Sequence, residues 1–404
     1  MAAICVSDNG RYFVDENGKP FFFLGDTEWE LFCMMAAEDA EAVLKRRKEQ
    51  GFNVFLVMVT GVGDGSKPNA AGQTPWVNHD PAHPNEAYFR NADAVVDMAG
   101  KLGMILILGV YHQVQRSVIT MHNARGYARW LGERYPDAPH IIWCTYPEAK
   151  PEYVPILREV AAGLREGDGG AHTITCHPDP SVASSSFCHE EEWLAFNMIQ
   201  TCIDYERVHE TVSADYARTP VKPTIMAEGG YEGVEFGKTQ TALEIRKQAY
   251  WSYLSGGYHC YGHNDAWTSP RTWQAWMDSE GARHLGVCRA VLTGLPRWWS
   301  LVPDQSLIAA GEGAGLALNV AARSAPDREA GGRNWALVYL TGGAKVSIAM
   351  ERACGGPKAE AHWIAPTTGK RTRIADVPAA GLHSFAAPTG WDDALLLIES
   401  SRGK

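Results

Sequence analysis

The chain lacks several features that define whole classes of protein. No C-x-x-C pair occurs among its nine cysteines and their total is odd, so neither a zinc cluster nor a disulfide framework is expected. No stretch approaches the roughly 20 apolar residues of a membrane span, and the first residues lack the basic end and apolar run of a secretory leader. We therefore expect a cytoplasmic protein with no membrane partner, or a periplasmic or secreted one if a leader was removed.

Positive charge is also scarce. The 37 Lys and Arg residues face 47 Asp and Glu, and a net charge of −10 argues against a nucleic-acid partner. A glycine-rich stretch at residues 311–315 is followed by neither a lysine nor a helix start, so it is predicted to be a turn. No cofactor is expected. Aromatic residues, in contrast, are frequent, with 14 Trp and 15 Tyr, and aromatic faces can stack on sugar rings.

Short apolar runs alternate with helical patterns over the first 295 residues, which is typical of βα units and a parallel sheet. Helices are predicted at 38–50, 86–102 and 239–254, each followed by a glycine that a helix C-terminus favours. The segment between the fifth and sixth strands shows no clear helix. The number of strand candidates is the eight that a (β/α)8 barrel needs: 21–24, 53–59, 104–110, 140–144, 173–176, 195–199, 223–227 and 258–261.

After Trp298 the pattern changes to short alternating runs separated by Gly, Pro and Asp clusters, which predicts a small antiparallel β-sandwich. The predicted architecture is therefore α/β, with a (β/α)8 TIM barrel at 1–297 and a β-sandwich at 298–404. Pro296 and the pair Trp298-Trp299 are predicted to pack at the junction. The strand candidates of the second domain are 316–320, 335–340, 345–350, 361–364 and 394–398.

Polar side chains follow most of the predicted barrel strands, and the carboxyl ends of these strands share the face on which barrel active sites lie. Glu228 is the most informative, because it ends an apolar run and precedes Gly229-Gly230. Two carboxylates with aromatic and amide groups around them suit glycoside hydrolysis. The residues predicted to bind the substrate are Asp26, Trp29, His112, His177, Asn197, Gln200, Tyr231, Tyr261, His263 and Trp267.

Glu148, which follows Tyr146-Pro147 after the fourth strand, is the second carboxylate. The fourth and seventh strands lie on opposite sides of the ring, and a retaining mechanism needs the two carboxyl groups about 5–5.5 Å apart, an inverting one about 6.5–9.5 Å. We predict that Glu228 stays ionised and attacks the anomeric carbon. Glu148, with a raised pKa, would protonate the leaving oxygen and then activate water.

Longer motifs carry a resemblance to the apiosidase-like glycoside hydrolases, family 140, over most of residues 4–300. They are residues 11–15, 18–32, 50–54, 85–90, 175–178, 196–200, 222–228, 231–233 and 261–263. The resemblance implies a barrel glycosidase with its acid/base after the fourth strand and its nucleophile after the seventh, where Glu228 stands. The tail, through residues 301–305 and 363–369, is similar to the β-sandwich commonly labelled collagen-binding.

One motif departs from the family. Where its members tend to show Ile-Trp, two residues and then Gly-Gly-Asp, this chain has Ile142-Trp143 followed by Cys144-Thr145-Tyr146-Pro147-Glu148. The resemblance suggests plant cell-wall oligosaccharides as substrate, with pectic side chains foremost. The long second loop, residues 60–84 with Trp76, indicates an exo-acting pocket that this loop walls off on one side.

Two other interpretations remain open. A carbohydrate-binding protein that kept the pocket and lost catalysis would explain the altered turn before Glu148. A metalloenzyme using His177, His189, His259 and His263 is disfavoured, because no H-E-x-x-H or comparable ligand spacing occurs. We therefore predict an oligosaccharide partner and no metal. The sequence does not predict the oligomeric state.

Overall fold

The structure is a computed structural model that describes residues 3–145, 148–234, 237–326, 334–354 and 358–400. The α/β fold class is confirmed, with a parallel barrel sheet followed by antiparallel sheets. In the order of the sheet, the fifth barrel strand lies at one edge and the sixth barrel strand lies next to the opposite edge. The barrel strands are Leu24–Thr27, Val54–Met58, Ile105–Gly109, Ile141–Cys144, Ile174–Thr175, Asn197–Gln200, Thr224–Glu228 and Tyr258–Tyr261.

The ring closes between the fifth and sixth strands. The Ala195 amide donates to the Ile174 carbonyl at 2.9 Å, and the Thr175 hydroxyl donates to the Phe196 carbonyl at 2.9 Å. The connection between these strands holds a two-residue antiparallel strand, Val182–Ala183, and a four-residue helix, Ser185–Cys188. This short helix explains why the sequence shows no helical period there.

Helices cover the outside of the barrel. The helix Glu86–Leu102 has the bounds that the sequence predicts: Asn85 accepts the Ala87 amide at its start, and Gly103 ends it at φ +69°. The α-helices are Ala37–Glu49, Glu86–Leu102, Ala124–Arg134, Val154–Asp168, Ser185–Cys188, Val208–Tyr216, Ala242–Leu254, Asn264–Thr268, Trp273–Trp276, Glu280–Thr293 and, in the second domain, Met350–Ala353. Short 3-10 helices are Val77–His79, Gln113–Ser117, Pro151–Tyr153, Tyr205–Arg207, Pro270–Thr272, Trp298–Ser300, Gln305–Leu307 and Gly315–Ala317.

A small antiparallel sheet closes the N-terminal end of the barrel. Its strands are Ile4–Val6, Phe13–Asp15 and Pro20–Phe21. The Phe13 ring lies 5.6 Å from that of Phe23, 5.3 Å from Phe196 and 5.4 Å from Tyr258, at the starts of three barrel strands. The first barrel strand therefore begins later than predicted, because Pro20–Phe21 pairs in this sheet instead.

The second domain is a sandwich of two antiparallel sheets. Four of its strands escape sequence prediction: Leu301–Pro303, Ile308–Ala310, Arg371–Pro378 and Leu382–Ala386. The first two have only three residues each, and most residues of the last two are exposed. The predicted strand at 316–320 is wrong, since a 3-10 turn precedes a strand that starts at Val320. The larger sheet contains Leu301–Pro303, Val320–Ser324, Trp335–Thr341, Asp393–Ser400, Lys358–Ile364 and Arg371–Pro378, and the smaller one Ile308–Ala310, Lys345–Ala349 and Leu382–Ala386.

The sandwich packs against the helix Ala242–Leu254 of the barrel. Arg246 on this helix forms two hydrogen bonds, of 2.8 and 3.0 Å, with the Asp393 carboxylate, and the Tyr339 hydroxyl donates to the same carboxylate at 2.8 Å. The Tyr250 and Tyr339 rings stack at 5.1 Å. One apolar core consequently runs through both domains.

Tryptophans fill the junction further along the chain. The Trp335 indole donates to the Pro296 carbonyl at 2.8 Å, and the Trp298 ring lies 5.2 Å from that of Phe22. The Trp251 indole donates to the Leu318 carbonyl at 3.2 Å. These contacts join the base of the barrel to the first strands of the sandwich.

Replacing Arg246 by methionine is expected to destabilise the whole chain. The side chains of Arg246 and Asp393 are 4% and 2% exposed, so the substitution leaves a buried carboxylate without its counter-charge. Removing one partner of such a pair costs about 3–5 kcal/mol. The free energy of unfolding in guanidinium chloride measures this loss. Arg129→Met is the control: its pair with Glu133 is 59% and 51% exposed, and a change of about 0.5 kcal/mol is expected. Equal losses would contradict the prediction.

Candidate active site

A cavity of about 330 Å³ lies at the carboxyl ends of the barrel strands. Among the residues predicted to form the site, those from the first, third, fourth, sixth, seventh and eighth strand ends meet there. The predicted residues that line the cavity are Trp29, His112, Glu148, Gln200, Glu228, Tyr231 and Trp267. The other lining residues are Met58, Val62, Gln113, Pro180, Cys202, Ile203, Gly229, Gly230 and Val234.

Glu228 is the last residue of the seventh strand, and its side chain keeps 17% of its surface exposed to the cavity. The side chains of Tyr231 and Gln200 hydrogen-bond its carboxyl group. The Trp29 indole in turn donates to the Tyr231 hydroxyl at 2.7 Å. Residues from three strand ends thus fix the orientation of one carboxyl group.

The charge state of Glu228 differs from the sequence-based expectation. Burial, followed by the negative charge of Glu148, raises the pKa of Glu228 to about 8, and the hydrogen bonds from Tyr231 and Gln200 oppose the shift. This shift favours the protonated form of Glu228 in the free protein, whereas the predicted role as nucleophile requires the ionised form.

His177 lies beneath Glu228 and is consistent with this protonation. Its Nδ1 lies 3.1 Å from the Pro178 carbonyl, which can only accept, so Nδ1 carries the hydrogen. The unprotonated Nε2 then faces Oε2 of Glu228 at 3.4 Å. Burial lowers the pKa of His177 to about 4, so the ring is neutral. A neutral acceptor at this place favours the protonated form of Glu228.

Glu148 reaches the same cavity from a strained turn. Its φ of +56° lies in the left-handed region, which costs a non-glycine residue about 1–3 kcal/mol and is frequent at functional sites. The Ala149 amide donates to the His177 carbonyl at 3.0 Å and holds the turn. Burial, followed by the charge of Asp179, raises the pKa of Glu148. Tyr146 and Pro147, which the sequence places before it, lie outside the described residues.

The turn after Glu228 is held by a buried amide on the helix Ala242–Leu254. Oε1 of Gln248 accepts the Gly230 amide at 2.7 Å, and its Nε2 donates to the Gly230 carbonyl at 3.2 Å. A Cβ atom on Gly229 would lie 2.0 Å from Gln248 Oε1, and one on Gly230 would lie 2.6 Å from Gln240. Both positions therefore require glycine for close approach, which gives the Gly-Gly pair a structural reason.

The remaining predicted binding residues contact structural partners. Asp26 is buried and pairs with Arg47. The Tyr261 hydroxyl donates to Glu232 at 2.6 Å. Asn197 lies 3.2 Å from Nδ1 of His189, and His263 caps the helix Asn264–Thr268 by accepting the Asp265 amide at 3.1 Å. None of these four residues lines the cavity, and their predicted contact with substrate stays a prediction.

The sequence reasoning missed the apolar part of the wall. Met58 ends the second strand, so the strand-end rule that identified the other residues could have found it. Val62, Ile203 and Val234 lie on loops, where a lone apolar residue gives no periodic signal.

Within the described ranges, no group of three or more His, Cys, Asp or Glu side chains is arranged to hold a metal ion. Of the histidines considered as ligands, His259 lies 3.2 Å from the Ser252 hydroxyl and His189 lies 2.8 Å from the Pro220 carbonyl. None of the helices in the described part of the chain has the length and apolarity needed to cross a membrane.

A barrel with two carboxyl groups around one cavity at its carboxyl face is the arrangement of the glycoside hydrolases. Residues 7–299 match the family model described as "Apiosidase-like, catalytic domain", and residues 302–399 match "Putative collagen-binding domain of a collagenase". The chain belongs to the apiosidase-like family and is a glycosidase, with a carbohydrate as substrate. No curated protein sequence matches the chain.

Solved structures agree with this assignment. One described as a glycoside hydrolase has a TM-score of 0.89 and 25% identity, with 99% of this chain and 97% of that one covered. A glycoside hydrolase family 5 structure from Bacteroides vulgatus also has a TM-score of 0.89 and 25% identity, over 98% and 93% of the two chains. A family 5 mannosidase from Rhizomucor miehei, at 13% identity and a TM-score of 0.52 over 65% and 86%, shares the fold.

Glu228→Gln is expected to stabilise the protein in a pH-dependent way. A carboxyl group whose pKa rises on folding weakens the native state as pH rises, because the unfolded chain releases that proton first. For Glu228 this window runs from its ordinary value of 4.5 to about 8. The variant should match the wild type near about pH 5 and exceed it near about pH 8, by at most about 1.4 kcal/mol per pH unit. Chemical unfolding at both pH values measures this. Glu351→Gln, on the exposed sandwich surface, is the control; an equal gain at both pH values would contradict the prediction.

Gly229→Ala is expected to destabilise the fold by about 1–3 kcal/mol, as overpacking does in a filled interior. Its Cβ atom would overlap Oε1 of Gln248. Gly126→Ala is the matched control, because no atom lies within 4 Å of its Cβ position and the residue is helical. That variant should gain about 0.5–1 kcal/mol. Thermal unfolding midpoints compare the two, and a Gly229→Ala variant as stable as wild type would show that the turn tolerates a side chain.

Proposed function

We propose that the protein is a retaining, exo-acting glycosidase of plant cell-wall oligosaccharides, with pectic side chains foremost, in which Glu228 is the nucleophile and Glu148 the general acid/base. The observation that carries the proposal is that both carboxyl groups line one cavity and that the charge of Glu148 raises the pKa of Glu228. Two such coupled groups lose their protons in two separate steps.

Substrate binding decides which of the two groups is ionised. Positive charge develops at the anomeric carbon in the transition state of glycoside hydrolysis. That charge favours ionised Glu228 and leaves the proton on Glu148. Glu148 then protonates the leaving oxygen while Glu228 attacks the anomeric carbon, and in the second step Glu148 accepts a proton from the water that releases the sugar. Tyr231 and Gln200 hold the Glu228 carboxylate through both steps.

The shape of the cavity supports a pocket for a chain end. Val62, from the loop after the second strand, forms part of its wall. Trp76 of the same loop is buried, with its ring 5.8 Å from that of Tyr127, and anchors the loop rather than touching the cavity. Trp267 lines the cavity and is 36% exposed, so its ring is placed to stack on a sugar at the entrance.

Substrates with different leaving groups distinguish the roles of the two carboxyl groups. Glu148→Gln should lower kcat/KM on unactivated oligosaccharides by about 10²–10⁴-fold, with a much smaller loss on aryl glycosides whose leaving groups need no proton. Glu228→Gln should lower it by at least about 10³-fold on both. Glu351→Gln, on the sandwich surface, should have wild-type rates. Release of sugar from aryl glycosides and pectic oligosaccharides is the measurement.

Two further readouts test the mechanism. The first product detected by proton NMR should keep the anomeric configuration of the substrate, and azide should restore activity to Glu148→Gln through a glycosyl azide. Inverted product would refute the retaining mechanism while leaving the glycosidase. Sugar binding without turnover by the wild type would favour a carbohydrate-binding protein that has lost catalysis at the altered turn before Glu148.

A further inference from the structure

One buried side-chain atom in the lining of the active-site cavity has no hydrogen-bond partner in the described part of the chain. It is Oε1 of Gln200, a residue that lines the cavity and is 2% exposed. The other described residues of the lining have no buried side-chain nitrogen or oxygen that is left unpaired in this way. A buried acceptor without a partner destabilises a fold, so its presence in the wall of a binding cavity points to a ligand that donates to it.

The main chain of Gln200 is held on both sides. In the parallel ladder between the sixth and seventh barrel strands, Gln200 is the partner of Glu228. On its other side it pairs with Val182 of the short antiparallel strand. The next two amides, of Thr201 and Cys202, donate to the Glu228 carbonyl at 2.9 and 3.3 Å. The Gln200 side chain therefore starts from a fixed position directly beside Glu228.

The two ends of the Gln200 amide have different roles. The side chain hydrogen-bonds the Glu228 carboxyl group, and this bond favours the ionised form of Glu228. A carboxylate can only accept, so the NH2 group of Gln200 is the donor in this bond. Oε1 is attached to the same carbon as that NH2 group and is directed away from the carboxylate. It is an acceptor only, so a group that binds it must carry a hydrogen.

The reacting carbon of the sugar limits which group can reach Oε1. In the proposed mechanism Glu228 attacks the anomeric carbon, so a side chain bonded to its carboxylate lies beside the neighbours of that carbon in the sugar ring. These neighbours are the ring oxygen and C2. The ring oxygen carries no hydrogen and cannot donate to Oε1. The hydroxyl group on C2 can, and hydrogen bonds to this hydroxyl strengthen in the transition state of glycoside hydrolysis.

We propose that Gln200 is a specificity-determining residue for the hydroxyl group on C2 of the cleaved sugar, which donates to Oε1 while the NH2 group of the same side chain holds Glu228. This inference rests on the proposed glycosidase function and names a group that the substrate must carry. A glycoside without the C2 hydroxyl leaves Oε1 buried and unpaired, so it should be a poor substrate.

Gln113 provides a matched comparison within the same cavity. It also lines the cavity, and its side chain hydrogen-bonds the other carboxyl group, that of Glu148. In contrast to Gln200, it has no buried and unpaired side-chain atom within the described part of the chain. Replacing it should therefore affect catalysis without affecting recognition of the C2 hydroxyl.

Aryl glycosides that differ in one hydroxyl group test the proposal. The aryl glycoside that the wild type hydrolyses fastest is compared with its 2-deoxy and 3-deoxy counterparts. The measured quantity for each enzyme is the ratio of kcat/KM with the hydroxyl to kcat/KM without it. Gln200→Met removes the amide and keeps a side chain of similar length, so it should lower the C2 ratio about 10- to 100-fold. The C3 ratio should not change.

The ratio separates recognition of the hydroxyl from support of Glu228. Loss of the bond to the Glu228 carboxylate slows both members of a pair, and any difference in their intrinsic reactivity cancels when two enzymes are compared. Gln113→Met should slow both members and keep the C2 ratio of the wild type. Thermal midpoints check that each variant is folded, and Gln200→Leu is a second variant with the same expected result.

The outcomes distinguish this inference from the proposed function. An unchanged C2 ratio in both Gln200 variants, an equal fall in Gln113→Met, or a larger change in the C3 ratio would overturn the role of Gln200 while leaving the glycosidase. If the wild type hydrolyses no aryl glycoside, binding of the 4-nitrophenyl glycosides of D-galactose, D-xylose and L-arabinose and of their 2-deoxy counterparts is followed by tryptophan fluorescence, since Trp29 and Trp267 line the cavity.

In that binding experiment, a preference for the hydroxylated member that is lost in Gln200→Met would support the role of Gln200 and overturn the glycosidase mechanism. Equal binding of both members, or binding of neither, would overturn both.

Discussion

The close contact between Gln248 and the Gly229-Gly230 turn is the constraint on which the site depends. A buried amide that both accepts from and donates to the Gly230 main chain fixes the path of the chain directly after Glu228. Gln248 is held because its helix, Ala242–Leu254, is buried between the barrel and the sandwich. The position of the Glu228 carboxyl group is thereby linked to packing at the domain interface, through one helix.

The second organising feature is a pair of carboxyl groups that line one cavity. Burial raises the pKa of both Glu148 and Glu228, and the negative charge of Glu148 adds to the shift at Glu228. The neutral His177 ring, fixed as an acceptor by Pro178, biases the free protein toward protonated Glu228. In the proposed mechanism, the positive charge that develops at the anomeric carbon favours the ionised form of Glu228 instead.

Much of the fold was predictable because its signals are local. Helix Glu86–Leu102 carries its own cap residues, and Glu228 stands where an apolar strand meets a glycine pair. The partner of Asp26 was not predictable, because Arg47 comes from a different element and meets it only in the folded chain. The run Phe21-Phe22-Phe23 resembles a barrel strand, but its first residue pairs with the sheet that closes the barrel base.

The carboxylates of the candidate site were predictable from the sequence, but the apolar lining of its cavity was not. Strand-end position identifies Glu228, Gln200 and His112, since parallel strands bring their carboxyl ends together. The apolar wall arises from single loop residues such as Val62 and Ile203, which carry no period. The raised pKa of Glu228 follows from burial and from the nearby charge of Glu148, so it too depends on the three-dimensional arrangement.

The domain interface has a consequence for the order in which the chain can mature. The helix Ala242–Leu254 is synthesised well before Asp393, which supplies the counter-charge for Arg246 and lies in the final strand, Asp393–Ser400. Until that strand leaves the ribosome, the outer face of the helix has neither its ion pair nor its apolar cover. The barrel of a nascent chain is therefore complete in sequence well before this helix has its full set of packing partners.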